Sequence, residues 1–326
     1  MTKEKNSCEP SSCYWFSLSE PEYDGLLKTI AENQRDSFRQ EWETLTSSNE
    51  QLWQGKPYCL ILPGSDGKGE RHPQSKTEVI ILLGHNGADC ERLIKQEIEG
   101  LGKEDLLGQI ETKKLSSPEQ IHLSFFNYSP FGANYEVYPD RVLNSYFLAG
   151  DPCLYFQARR QILEEMTGKK IKEAMRDQLR QYKKVIRTGE YRNLKVFSEE
   201  EGEQYYFENH ETKRIRFGFK VGFLRAVQRK LDLETVRWLE SGKEGVDFLA
   251  QNLPTNTGER IAYFAQRGLF DKNFALNLQE AYLWFLKNYH YAQEIFSRDK
   301  SRVAVIPFSQ ERFAAEKEVI MAFVNG

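Results

Sequence analysis

The sequence predicts an α+β protein: a small mixed α/β domain over residues 55–150, then an all-α helical bundle over 151–326. Three observations carry that expectation. Two short apolar runs, Tyr58–Leu62 and Val79–Leu83, are closed by Pro63-Gly64 and by Gly84, the length and punctuation of buried strands. Outside that segment, from Pro21 onward and again after Leu143, the apolar spacing follows a helical period. The length, 326 residues with 40% hydrophobic side chains, suits roughly two domains with their own cores.

Residues 1–18 are polar and Ser-rich and read as a disordered tail. Residues 19–54 read as N-terminal helices, with Tyr23, Leu26, Leu27 and Ile30 on one face and Phe38, Trp42 and Leu45 resuming the pattern. After the second strand a helix is expected, capped by Asn86 or Asp89 and facing inward through Cys90, Leu93, Ile94 and Ile98. Further strands are expected at 109–112, 121–126 and 135–138. A long amphipathic helix then carries Ile171, Ala174, Met175, Leu179, Tyr182 and Ile186 on one face. Its other face carries Arg176, Arg180, Lys184 and Arg187, a basic stripe that reads as solvated helix surface or, as the alternative, as a face for a nucleotide, an RNA or an acidic partner. Later helices are expected at 225–239, 259–266 and 275–296, with Glu199-Glu200-Glu201 as a solvated loop.

Composition excludes several classes. No apolar stretch, Val79–Leu83 included, comes near the ~18 residues a membrane span needs. The segment up to Cys13 has no apolar core of a secretory signal. Net charge is 45 − 48 = −3, which argues against a general nucleic-acid binder, although residues 159–195 hold twelve Lys/Arg against five Asp/Glu. Five scattered cysteines (Cys8, Cys13, Cys59, Cys90, Cys153) fit free thiols in a reducing cytoplasm. His72, His85, His122, His210 and His290 show no metal-ligating spacing.

The chemistry-bearing stretch is Gly64-Ser65-Asp66-Gly67-Lys68-Gly69-Glu70-Arg71-His72-Pro73-Gln74-Ser75-Lys76-Thr77-Glu78-Val79. A Gly-Ser pair after a strand lets backbone N–H groups and a hydroxyl approach phosphate oxygens. The spacing resembles the DNA polymerase β-like nucleotidyltransferases, in the branch of PII uridylyltransferase and glutamine synthetase adenylyltransferase. Their pattern reads G-[GS]-x-G-R-x-E-x-x-P-x-S-D-x-D-[LV]. Gly64, Ser65, Gly67, Glu70, Pro73 and Ser75 match it, and Lys68 stands where Arg is usual. The stretch from Lys220 to Gln228 is similar to a shortened form of the family's K-x-G-x-G-G-[LI]-R-[DE]-[IL]-[QE] segment, with Ala226 in place of the acid. Gly268 to Gln293 is similar to a later family helix, with Lys287 for Arg and His290 for Glu. The aromatics of that helix, Tyr282, Trp284, Phe285, Tyr289 and Tyr291, are expected in the bundle core.

The resemblance implies a polymerase-β-like domain with a mixed sheet. Gly64, Ser65 and Lys68 would contact a nucleoside triphosphate, ATP or UTP, and Lys220 and Arg225 would either bind phosphate or an acidic group of a protein target or form an ion-paired helix start. The two acids of D-x-D would hold Mg²⁺, where two ions polarise the attacking oxygen and neutralise the leaving pyrophosphate. Those acids fall on Lys76 and Glu78. Glu78 keeps a carboxylate and is the expected metal ligand and catalytic acid. Lys76 replaces an oxygen ligand with an ammonium, which repels Mg²⁺ and cannot coordinate it. It either supplies fixed charge beside a triphosphate or is a plain surface lysine. Asp66 and Glu70 are the nearby acids that would compensate, although the resemblance makes Glu70 a structural contact rather than a ligand, and Glu136 and Asp140 are candidates for a third metal ligand. His72 is a nucleotide contact or a plain loop histidine.

Three functional readings stay open at this point. The leading one is an impaired centre acting through nucleotide binding or protein interaction. The second is an active enzyme moving a nucleoside monophosphate from NTP to a protein, with NTP and Mg²⁺ required. The third is a helical interaction scaffold with an empty cleft. The phosphohydrolase and regulatory domains of bifunctional uridylyltransferases are not expected, because the chain contains no His-Asp dipeptide.

Overall fold

Residues 14–47, 58–72, 79–83, 110–114, 138–188, 194–199, 202–208, 219–299, 303–306 and 310–326 are described by a computed structural model. In chain order the elements begin with helix α1 (Glu20–Ser47), strand β1 (Tyr58–Leu62), the one-turn helix α2 (Gly64–Lys68), and strands β2 (Val79–Leu83) and β3 (Ile110–Lys114). Helix α3 (Tyr138–Leu143), strand β4 (Tyr146–Gly150), and helices α4 (Pro152–Met166) and α5 (Lys169–Thr188) follow. A hairpin of β5 (Leu194–Glu199) and β6 (Gly202–Glu208) and a π-helical turn (Phe219–Leu224) lead into α6 (Arg225–Glu240), α7 (Val246–Asn252), α8 (Thr257–Gln266) and α9 (Lys272–Asp299). Strand β7 (Val303–Ile306) and helix α10 (Gln310–Asn325) complete the described elements.

Two compact units divide these elements. One comprises Leu27–Ala174 and Thr235–Arg260 and holds a four-stranded sheet of order β3-β2-β1-β4. β1 runs antiparallel to both β2 and β4, and β2 runs parallel to β3, so the sheet is mixed. On one face Leu60, Leu62, Val79, Ile81 and Leu148 pack with Trp42 and Phe38 of α1. On the other, Phe147 is paired with Ile61 and its ring lies 5.7 Å from Tyr155 of α4. Burial on both faces explains why β1 and β2 read as continuous apolar runs without alternation. Asp151 caps α4 by accepting from the Cys153 amide at 2.8 Å, and Pro152 occupies the first turn, where no donor is missed.

The second unit comprises Met1–Leu26, Met175–Glu234 and Ile261–Gly326. It holds the antiparallel sheet β5-β6-β7 and an aromatic core on α9. Phe223 stacks on Phe285 at 3.9 Å between centroids, Phe313 meets both edge-on, and Trp284 packs against Phe285. Tyr282, Trp284, Phe285, Tyr289 and Tyr291 are all buried, as expected of bundle core. Ile171, Met175, Leu179, Tyr182 and Ile186 are the buried stripe of α5, while Arg176, Arg180, Lys184 and Arg187 are exposed.

The chain is thus an α+β protein, and five expectations need correction. The 151–326 half is not all-helical: Leu194–Glu199 and Gly202–Glu208 form a hairpin joined by Val303–Ile306. Val196, Phe197, Tyr205, Tyr206 and Phe207 are strand formers in runs too short to show a helical period. Glu199 is accordingly not a loop residue but the end of β5, paired with Gly202. Tyr146–Gly150 is a strand beside β1 where helix was expected from Leu143, bounded by Ser145 and the Asp151-Pro152 cap. Tyr138 opens a helix that includes Asp140, instead of closing a strand. Residues 14–17 are not tail: they form a 3-10 turn in which Trp15 is buried and stacks on Tyr23 at 5.3 Å. The strand expected at 109–112 is Ile110–Lys114, whereas the helix at 86–98 and the strand at 121–126 lie outside the described residues. Among the described residues no helix is long and apolar enough to cross a membrane.

Candidate functional site

The glycine turn begins where β1 ends. Ile61 pairs with Ile80, so the start of β2 lies beside the end of β1 from which the turn departs. Pro63 precedes the single helical turn Gly64–Lys68, closed by the amides of Gly69 and Glu70 donating to Asp66 and Ser65 carbonyls. Two of its glycines answer different needs. Gly64 has φ +59°, a left-handed conformation disfavoured for any side chain, with open space around its missing Cβ. Gly67 is a packing glycine: a Cβ there would lie 2.2 Å from the Leu62 carbonyl oxygen and 2.7 Å from that of Asn144. Ser65 is exposed and Gly64 and Lys68 are half-buried.

The acids in and after this turn are committed to internal partners. Asp66 and Arg71, 8% and 7% exposed, form an ion pair at 3.0 Å. Glu70, 4% exposed, accepts from the Thr257 amide at 2.8 Å. His72 is buried. Arg35 of α1 donates to the carbonyls of Asp66 and Gly67 at 3.2 and 2.9 Å, and its guanidinium lies 3.9 Å over the Tyr146 ring. Burial holds that guanidinium below its ordinary pKa, against the opposing pull of Tyr146, Glu32, Glu259 and Asp66. Arg260, fully buried, donates to Asn144 Oδ1 and Thr235 Oγ1, both at 2.8 Å.

Gly64, Ser65 and Lys68 therefore fall together in the four-stranded unit, with Asp66 and Glu70 turned to structural use. Lys220 and Arg225 belong to the three-stranded unit. There Lys220 lies 5.7 Å from the Tyr289 ring centroid, and Gln228 donates to Tyr282 Oη at 2.8 Å. Burial pushes the Tyr289 phenol up to about 12, with Arg225 and a bond to Gln293 opposing the rise. Lys287 donates to the Leu18 carbonyl at 2.9 Å and pairs with Glu20, and His290 Nδ1 lies 2.6 Å from Tyr23 Oη. These two residues, at positions where the resembling helix has Arg and Glu, hold the N-terminal segment in place. Lys76, Glu78, Glu136, His85, His122 and His210 lie outside the described residues, as does the side chain of Asp140. Among the described residues no group of three His, Cys, Asp or Glu side chains is placed to hold a metal ion.

No protein-family model matches the chain, and no curated protein matches it. The supporting residues Arg35, Thr255, Asn256, Thr257 and Arg260 did not stand out in the sequence. One signal was present: Asn256 followed three residues later by Glu259 is a helix-start signature. Nothing local ties Arg35 to a turn thirty residues on.

Proposed function

We propose that this chain is a nucleotidyltransferase-type protein with an impaired catalytic centre, binding a nucleoside triphosphate at the Gly64–Lys68 turn without transferring it. The observation that carries the impairment is the commitment of the turn's own acids, Asp66 to Arg71 and Glu70 to the Thr257 amide. With both occupied, the motif supplies one carboxylate, Glu78, and one ammonium, Lys76. That set does not fit two Mg²⁺ ions, which need oxygen ligands on both, and no metal-dependent step is assigned to these residues. Support for a polymerase-β-like frame comes from the order strand, glycine turn, antiparallel strand, with β2 parallel to β3 in a mixed sheet. A cytoplasmic setting belongs to the same reading, since Cys59 and Cys153 are free thiols.

Calorimetric titration with ATP and with UTP, each with Mg²⁺ and with EDTA, tests this. Binding that survives EDTA is the expected result, and Lys76→Asp should make it Mg²⁺-dependent. Binding that requires Mg²⁺, with labelled nucleotide passed to a protein and lost in Glu78→Ala, would establish an active transferase instead. Absence of both heat and thermal stabilisation would leave a protein-interaction role, because a ligand that does not bind the native state cannot stabilise it.

A further inference from the structure

The carbonyl side of the glycine turn is closed by segments far apart in sequence. Arg35 Nη2, on α1, donates to the carbonyl oxygens of Asp66 and Gly67. Thr255 Oγ1 donates to the Gly67 carbonyl at 3.2 Å, and Asn256 Nδ2 to the Lys68 carbonyl at 2.8 Å. Next to them the Thr257 amide holds the Glu70 carboxylate. Three consecutive carbonyls, Asp66, Gly67 and Lys68, thereby accept side-chain donors, and Ser65 is left as the exposed residue of the turn.

Asn256 does two things of opposite polarity. Its Oδ1 accepts from the Glu259 amide at 3.0 Å, capping α8, while its Nδ2 donates to Lys68. A carboxamide satisfies both at once. An aspartate keeps the cap and loses the donor, setting a carboxylate oxygen against a carbonyl oxygen. A turn rich in glycine has many conformations open to it, so a site built there needs its backbone fixed from outside before a ligand arrives.

We infer that Asn256, with Arg35, is a positioning residue that fixes the Gly64–Lys68 backbone in one binding-ready conformation. Its geometry stands on the hydrogen bonds above, and its functional meaning rests on the proposed nucleotide-binding role of the turn.

Asn256→Asp and Asn256→Ala in the full chain test it, with amide hydrogen exchange read separately for residues 64–70 and for α8. Loss of one hydrogen bond with an acceptor left facing an oxygen predicts exchange about tenfold faster in the turn of Asn256→Asp. α8 should exchange at the parent rate in that variant, while Asn256→Ala should loosen both segments. Arg35→Gln should loosen the turn and leave α8 unchanged. Parent-like exchange in the turn of Asn256→Asp, or turn and α8 loosening together in it, would overturn the inference. ATP and UTP titrations of the same proteins separate the two ideas. If the parent binds, Asn256→Asp should bind about tenfold more weakly at a temperature where both proteins are fully folded, and parent-like affinity would overturn the positioning role. If the parent binds neither nucleotide, the nucleotide-binding proposal and the functional part of the inference fail together, and exchange alone decides the clamp.

Discussion

Replacing Gly67 and Gly64 by alanine, one at a time, separates two reasons for a glycine within four residues. At Gly67 the added methyl would meet the Leu62 carbonyl oxygen at 2.2 Å, the Asn144 oxygen at 2.7 Å and Ser145 Cα at 2.8 Å. Reaching even 3.0 Å from Leu62 requires 0.8 Å of displacement (3.0 − 2.2). The obstructing atoms are backbone. Leu62 ends β1 and pairs with Tyr146 of β4, and its neighbour Ile61 pairs with both Ile80 of β2 and Phe147 of β4, so it cannot retreat without disturbing the sheet. The expected loss lies at the top of the overpacking range, about 3 kcal/mol. At Gly64 a Cβ meets nothing within 4 Å, so only the left-handed φ opposes it, at roughly 1–2 kcal/mol. Urea denaturation followed by circular dichroism should therefore rank the variants parent, Gly64→Ala, Gly67→Ala. Equal losses, or a larger loss at Gly64, would refute the packing argument.

Asp66→Ala should cost about 3 kcal/mol in the same assay because it removes the carboxylate paired with the buried Arg71 guanidinium, which keeps only weaker contacts such as that to Gln34, and a loss below ~1 kcal/mol would show that the pair carries little of the fold's stability. The phenols of Tyr23, Tyr155 and Tyr289 are all raised by burial, so their neutral forms stabilise the fold below pH 10, and that stability is lost as pH rises through the folded-state values. For Tyr289 the window is about 10 to 12, and Tyr289→Phe should flatten the alkaline decline seen in denaturation series run across it. Native-state alkylation read by peptide mass should modify exposed Cys153 and spare Cys59, whose thiol is buried and pushed well up by desolvation; equal labelling would contradict that burial.

The parts of the fold legible in the sequence are those whose pattern is local. β1 and β2 announce themselves as apolar runs because both sheet faces are covered, and α5 does so through one buried stripe opposite four basic residues. β4 and the β5–β6 hairpin stayed hidden. Tyr146-Phe147-Leu148-Ala149-Gly150 fits either period, and only its pairing with Cys59 to Leu62 selects the strand. Val303–Ile306 joins β6 across about a hundred residues, a partner no local window contains. The site divides the same way. Its glycines and acids were visible as a motif, but the donors that hold them were not, because Arg35 and Asn256 act on residues 31 and 188 positions away.

That division changes what the motif is worth as evidence. Gly67 is demanded by Leu62 and Asn144, Gly64 by its own φ, Glu70 by the Thr257 amide and Asp66 by Arg71. Each has a sufficient physical reason within this fold before any ligand is considered. A protein that kept the frame and lost the chemistry would retain all four, so none of them distinguishes a working phosphate site from a relic of one. The discriminating weight falls on residues the frame does not require. Among the described residues Ser65, exposed at the start of the turn, is one. Ser65→Ala should accordingly leave the unfolding free energy from urea denaturation within ~0.5 kcal/mol of the parent, as a surface change away from packing does. If it also leaves ATP and UTP titrations unchanged in a parent that binds them, the nucleotide sits elsewhere and the glycine turn is architecture alone.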